Sequence, residues 1–160
     1  MDEIPNAEAV ELMTNTLFSE AYKSEKDIDE MMEDAHGIAN VISTRKNNPK
    51  RFGETLDDVV YAPNQFSGVG GDEWQKAVDK NFTESEANIY KKFRQMAYLA
   101  VQGKLEDITG GADHYYNPEL ASPDWGKLTT PSSVEQWNYY YKPVFKSKKH
   151  HFFKETLRKK

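Results

Sequence analysis

Glu20 sits on a helical pattern, three residues past Leu17 and seven past Met13, on the flank of an apolar stripe. A carboxylate at the edge of a core is partly desolvated, and desolvation raises its pKa toward the range a general acid needs. Much later comes Asp107 to Pro118, DITGGADHYYNP. There the turn signals Gly110-Gly111 and Asn117-Pro118 bracket His114, Tyr115 and Tyr116. Flat aromatic faces with polar edges suit a sugar ring, whose axial C–H bonds stack while its hydroxyls hydrogen-bond. The plain alternative is a surface hairpin whose aromatics cover a small core. Between these stretches, APNQFSGVGG holds Gln65 and Phe66 among proline and glycine breakers.

A semi-buried acid, an amide-aromatic loop and a tyrosine-rich wall together suit cleavage of a glycosidic bond, whose leaving oxygen must be protonated as the bond breaks. A glutamate against apolar side chains is tuned for this in lysozyme. The usual glycosidase adds a second carboxylate about 5–9.5 Å away. Asp107, Asp113 and Asp124 are candidates, but their DITGG and DW contexts equally suit aspartates that bond their own backbone in turns.

Other chemistries lack their signatures. There is no HExxH pattern, no histidine pair at helical ligand spacing, no GxSxG, no P-loop and no dinucleotide fingerprint. His150 and His151 are adjacent and would face opposite sides of a strand. Zero cysteines removes disulfides and thiolate chemistry. No metal and no cofactor are expected.

The elements that must hold these residues are mainly helices. A first helix is expected from about Ala7 to Tyr22, with Val10, Met13, Leu17 and Ala21 as its apolar stripe. A second starts with Asp27 as N-cap and runs to about Arg45, its stripe being Ile28, Met31, Ala35, Ile38 and Ile42. Asn47-Asn48-Pro49 ends it. A short third helix opens at Thr55 and carries Val59 and Val60. A long fourth begins at the Thr83–Glu86 capping box, buries Ile89, Phe93, Met96, Ala97 and Ala100, and stops before Gly103. Beyond DITGGADHYYNP the chain reads as irregular and aromatic through Trp125, Trp137 and Tyr139-Tyr140-Tyr141. HHFF then suggests a short strand before a basic tail. Four helices, irregular loops and a small sheet make an α+β, mainly α, single domain. Its body is residues 1–141, with 142–160 as the terminal strand and basic tail.

At 160 residues the chain is long enough for one real core. No stretch approaches the roughly 20 apolar residues of a membrane span, so no membrane insertion is expected. The net charge of −5 hides a gradient. Residues 1–35 hold 11 acidic and 2 basic side chains, while 142–160 hold 8 basic and 1 acidic. Such ends are solvated, pair with each other, or dock a partner. No nucleic-acid-reading motif accompanies them, and nucleic acid is not an expected partner.

Three segments resemble the cell-wall hydrolase family typified by the spore-cortex-lytic enzyme SleB. LFSEA (Leu17 to Ala21), followed by AHGIANVISTRK (Ala35 to Lys46), is similar to that family's glutamate-bearing helix and the following helix ending in arginine. KRFGETLDDVVYAPNQFSG (Lys50 to Gly68) is similar to its RFP…T…VVYQ…QFS segment, and DITGGADHYYNP to its D-x-TGGA-x-x-(F/Y)-Y-NP. His151-Phe152-Phe153 fits the closing H-x-F-Y loosely. The family's E-A-R-G-E is EAYKSE here, with Tyr22-Lys23 in place of arginine-glycine and Ser24 in place of the second glutamate.

The resemblance implies a lysozyme-like, lytic-transglycosylase-like fold and cleavage of peptidoglycan strands by a single catalytic glutamate, which carries over to Glu20. Gln65, Phe66, Tyr115, Tyr116 and Asn117 would line the sugar groove, with a core role for Phe66 the alternative. A non-catalytic carbohydrate-binding or structural protein on the same fold is the competing expectation. The start, MDEIPNAEAVELM, lacks the pattern of a secretory signal. With a wall-cleaving activity, this suggests a bacteriophage product in the virion or host cytoplasm, its charged termini docking virion or tail proteins.

Overall fold

The computed structural model describes residues 7–23, 27–62, 66, 68–134 and 138–157. The first helix, α1 (Ala7–Ala21), buries Val10, Met13, Leu17 and Ala21 as expected. It also buries Thr14, Asn15, Thr16 and Phe18, so the helix is enclosed on most sides rather than along one stripe. Its buried polar groups are satisfied locally. Thr14 donates to the Val10 carbonyl at 2.6 Å, Thr16 to the Leu12 carbonyl at 2.7 Å, and Asn15 accepts from the Tyr90 hydroxyl at 2.6 Å.

The second helix, α2 (Ile28–Lys46), follows Asp27, whose side chain makes no capping bond. Met31, Ala35, Ile38 and Ile42 enter the core, whereas Ile28 in the first turn is exposed. Asn47-Asn48-Pro49 does not simply end the helix. Proline fits the first turn of a new one, and α3 (Pro49–Phe52) starts there. The short α4 (Leu56–Val60) is opened by a Thr55–Asp58 capping box, and α5 (Asp72–Asp79) follows the glycine-rich loop. The capping box expected at Thr83–Glu86 starts α6 (Glu84–Val101), and Gly103 takes the left-handed φ of +71° expected just past a helix end. The described residues thus hold six helices, not four. Helices α2, α4, α5 and α6 surround α1, and their inner faces form the core with Phe66, Ala112 and Phe152.

The end of the chain is more ordered than its sequence suggests. β1 (His114–Tyr116), β2 (Tyr139–Lys146) and β3 (His151–Leu157) form an antiparallel sheet in the order β1-β3-β2. The aromatic run and much of the expected basic tail are therefore strands. Pro143 disguises β2, and it is tolerated because β2 is an edge strand with an irregularity between Pro143 and Phe145. The oppositely charged ends meet in part, since Lys148 pairs with Glu30 at 2.5 Å. The sheet docks on α2 through Gly37, where a Cβ would lie 2.5 Å from the Phe152 ring. A mainly helical α+β single domain is the architecture observed.

Candidate active site

Glu20 is the penultimate residue of α1 and is partly buried. Among the described residues, two groups reach it. The Tyr115 hydroxyl donates to Oε1 at 3.3 Å, and the Gly68 N–H donates to Oε2 at 3.3 Å. Burial pushes its carboxyl above the usual carboxylate range. The two hydrogen bonds and the charges of His150 and Lys23 pull the other way without cancelling that push. The negative end of the α1 dipole also disfavours a carboxylate in the last turn. The expectation of a raised acid at the core edge therefore holds, and its cause is desolvation.

Three elements meet to build this arrangement. Helix α1 supplies Glu20, β1 supplies Tyr115, and the loop before α5 supplies Gly68. At Gly68 the chain comes so close that a Cβ would sit 2.7 Å from the Ser19 carbonyl oxygen and 3.0 Å from Glu20 Oε2. Only glycine lets an N–H approach the carboxyl there. Tyr115 is held by Phe66, His150 and Phe152, with ring centroids at 6.1, 5.3 and 5.6 Å. Burial, then the nearby Glu20 charge, pushes its phenol well above its usual range, so it remains a hydrogen-bond donor.

Helix α2 fixes the DITGGADHYYNP segment from below. His36 Nε2 and Asn40 Nδ2 meet the Glu106 carbonyl at 2.7 and 3.0 Å, and Asn40 accepts from the Ile108 N–H at 3.0 Å. Their i, i+4 spacing puts both on one helix face. Buried Arg45 donates from Nε to the Asp113 carbonyl at 2.7 Å, and its guanidinium lies over the rings of Phe52 and Phe66. Asp107 folds the turn by accepting from the Thr109 N–H, the Thr109 hydroxyl and the Gly111 N–H at 2.7–2.8 Å. Gly110 and Gly111 adopt φ of +71° and +86°. That is the turn-forming role its context allowed. Asp113 likewise accepts from the Glu155 N–H and meets His114 Nδ1, both at 2.9 Å, and Asp124 begins a 3₁₀ turn, Asp124–Lys127.

The expected wall residues divide. Tyr115 reaches Glu20. Tyr116, its neighbour on a pleated strand, faces the other side, stacked on Phe153 at 5.5 Å and 4° and set edge-on to Trp125. Asn117 spends its side-chain oxygen on the Glu119 N–H, and its carbonyl accepts from Leu120 and Ala121. Phe66 is buried against Tyr115 and Arg45, which is the core role offered as its alternative. Gln65 lies outside the described residues. Sequence reasoning missed Gly68, Arg45 and His150 as site-building residues. The glycine closing QFSG and the arginine ending the second helix were the visible signals among them. Among the described residues, no group of three or more His, Cys, Asp or Glu side chains is placed to hold a metal ion. No described helix is long and apolar enough to cross a membrane.

The cell wall hydrolase family model matches residues 29–153, and the chain belongs to that family. The match begins in α2, so α1 and Glu20 precede it. Among solved structures, the catalytic domain of the germination-specific lytic transglycosylase SleB from Bacillus anthracis is similar at 19% identity, with a TM-score of 0.62. The likeness covers 96% of this chain and 100% of that one. The catalytic domain of the Bacillus cereus SleB protein is similar at 21% identity, with a TM-score of 0.56, over 94% of this chain and 95% of that one. At such identities the likeness is one of fold, and the expectation of a mainly helical α+β single domain agrees with it. A comparison with curated proteins gives no match.

Proposed function

We propose that this chain cleaves peptidoglycan glycan strands at the bond between N-acetylmuramic acid and N-acetylglucosamine, as a lytic transglycosylase with Glu20 as its single catalytic carboxyl. The observation that carries the proposal is the Glu20 carboxyl itself, desolvated at a helix C-terminus and steadied by a phenol and one backbone N–H. Membership of the cell wall hydrolase family supports the substrate class.

The chemistry follows from a raised pKa. Protonated Glu20 gives its proton to the glycosidic oxygen as the C1–O bond breaks. The substrate's own N-acetyl group stabilises the cationic sugar, so no second protein carboxylate is required. Asp107 and Asp113 are occupied in local hydrogen bonds, which favours the single-carboxyl route. Glu20, now a carboxylate, takes the proton from the muramyl 6-hydroxyl. That oxygen bonds to C1 and closes a 1,6-anhydro ring, consuming no water. Tyr115 and Gly68 donate to the carboxyl in both protonation states and limit its movement between the two steps.

The test is mass spectrometry of purified peptidoglycan digested with the wild type and with Glu20→Gln. Anhydro-muramyl ends made by the wild type alone are expected. Reducing muramic ends would replace the transglycosylase by a hydrolase. No cleavage of several wall types by the wild type would leave a binding or structural protein.

A further inference from the structure

Behind Tyr115 lies a pair of titratable groups that the reaction above does not use. Asp34 of α2 and His150, just before β3, are 3% and 4% exposed. Asp34 Oδ1 and His150 Nδ1 are 2.9 Å apart. The Ser147 hydroxyl donates to the same Asp34 oxygen. Backbone bonds complete the knot, from the His150 N–H to Ser147 Oγ at 3.2 Å and from the Ser147 N–H to the His150 carbonyl at 2.9 Å. A buried pair of this kind contributes little net stability, because desolvation offsets the attraction. Apolar residues would close the turn onto α2 as well.

A second contact of the imidazole shows what the pair acts on. The His150 ring meets the Tyr115 ring edge to face, with centroids 5.3 Å apart and planes at 72°. The Tyr115 hydroxyl donates to Glu20. Three side chains thus stand in series behind one carboxyl. We propose that the Asp34–His150 pair is a positioning element of the Glu20 site: Asp34 holds the imidazole, the imidazole holds the Tyr115 ring, and the ring aims its hydroxyl at the carboxyl. The inference rests on Glu20 being the acid.

The pair also acts through charge. A cationic imidazole favours the carboxylate form of Glu20, as does the Tyr115 hydrogen bond. His150 faces Asp34 from α2, Ser147 from the turn, Tyr115 from β1, His151 from β3 and Glu20 from α1. The nearby Lys148 and Lys149 are turned to Glu30 and Glu119. Removing the imidazole weakens both influences on Glu20, and both losses move its proton affinity the same way, upward.

The experiment is a carbon-13 NMR titration of the Glu20 side-chain carboxyl in the wild type and in His150→Gln, with Glu20→Gln identifying the resonance. Turnover of purified peptidoglycan is measured beside it. In His150→Gln the Glu20 midpoint is expected to rise by about half a pH unit, as loss of one partly screened charge and a firm hydrogen bond implies. The turnover number should fall about tenfold with KM nearly unchanged. A midpoint matching the wild type overturns the proposal, whatever happens to turnover. If His150→Gln does not fold, Asp34→Asn with His150→Gln replaces the pair by two neutral amides. There the Asp34 charge leaves with that of His150, so a smaller rise is expected, from the weakened Tyr115 hydrogen bond alone, and a midpoint matching the wild type again overturns the proposal. If the midpoint rises but no form cuts peptidoglycan, the reaction assigned to Glu20 falls while the positioning role stands.

Discussion

Glu20 and Glu86 are both glutamates at a helix end against the same core, and their surroundings drive them in opposite directions. Glu86 lies in the first turn of α6, where the dipole favours a negative charge. Its Oε1 accepts from the Thr83 N–H at 2.9 Å, and its Oε2 meets Lys76 Nζ at 2.8 Å. The Lys76 ammonium, then the Thr83 N–H, holds its carboxyl below the usual range. Glu20 lies in the last turn of α1, where the dipole disfavours charge, and its two donors stand at 3.3 Å. Burial raises it. One carboxylate is held so that it keeps its charge and fastens two helices. The other is held loosely and desolvated, so that it can carry a proton.

Glu20→Gln breaks the comparison most sharply. Removing the transferable proton should lower turnover by about 10³-fold, within the usual range for a general acid. Stability should move the other way. A carboxyl whose folded pKa is raised stabilises the fold below its unfolded pKa, and that contribution is lost as pH rises through the folded value. At pH 7 the neutral amide should therefore melt at or above the wild-type temperature, and the difference should close below the ordinary carboxylate range. A variant melting well below the wild type at pH 7 would mean that the Glu20 charge is a structural one.

Gly68→Ala comes next. The new methyl would meet the Ser19 carbonyl at 2.7 Å and Glu20 Oε2 at 3.0 Å, and the backbone oxygen cannot step aside. Loss of about 10²-fold in turnover is expected, because a displacement of about 1 Å at a reacting group costs that much. Circular dichroism should still report a folded, helical protein. Full activity in this variant would show that the Gly68 N–H does not steady the acid.

Tyr115→Phe sharpens the comparison by removing one of the two donors. That hydroxyl lowers the pKa of Glu20, so its loss raises the pKa further. The alkaline limb of the pH–rate profile, where the acid loses its proton, should shift to higher pH. Turnover should fall roughly 3- to 10-fold, in line with one hydrogen bond of about 1 kcal/mol. An unmoved limb would place the phenol elsewhere in the working enzyme.

The place of Glu20 was legible in the sequence because a helix is periodic: the angle from Leu17 and Met13 put it on the core's flank before any contact was known. The Thr83–Glu86 capping box and the glycine turn were legible for similar reasons, since each is written within a few adjacent residues. What surrounds Glu20 was not. Gly68 and Tyr115 reach it across sequence separations of 48 and 95 residues, and no local pattern encodes such pairs. The two tyrosines read as one wall, yet a strand sends neighbours to opposite faces, and only pairing with β3 showed that HYY was a strand. Pro143 hid β2, because a proline argues against a strand until the strand is known to be an edge. Helix α5 hid for another reason: it is eight residues long and buries only Trp74 and Ala77.

The smallest expected effect is Glu86→Gln, the mirror of Glu20→Gln. Turnover of peptidoglycan should be unchanged, because Glu86 lies in the first turn of α6 and holds Lys76 and Thr83. Stability at pH 7 should fall by about 1 kcal/mol, the usual worth of a capping interaction. A carboxyl whose folded pKa is lowered adds stability above its unfolded pKa, and that stability is lost as pH falls through the folded value. The deficit of Glu86→Gln should therefore shrink to nothing in acid. Urea unfolding at pH 7 and at a series of acid pH values, carried on below the lowered folded value of Glu86 until the deficit stops changing, gives both ends of the window. Plotted together, the two variants should lie on opposite sides of the wild type at neutral pH and converge on it in acid. A deficit in Glu86→Gln that persists at low pH would assign its effect to lost packing rather than charge, and the contrast between the two helix ends would then be one of shape.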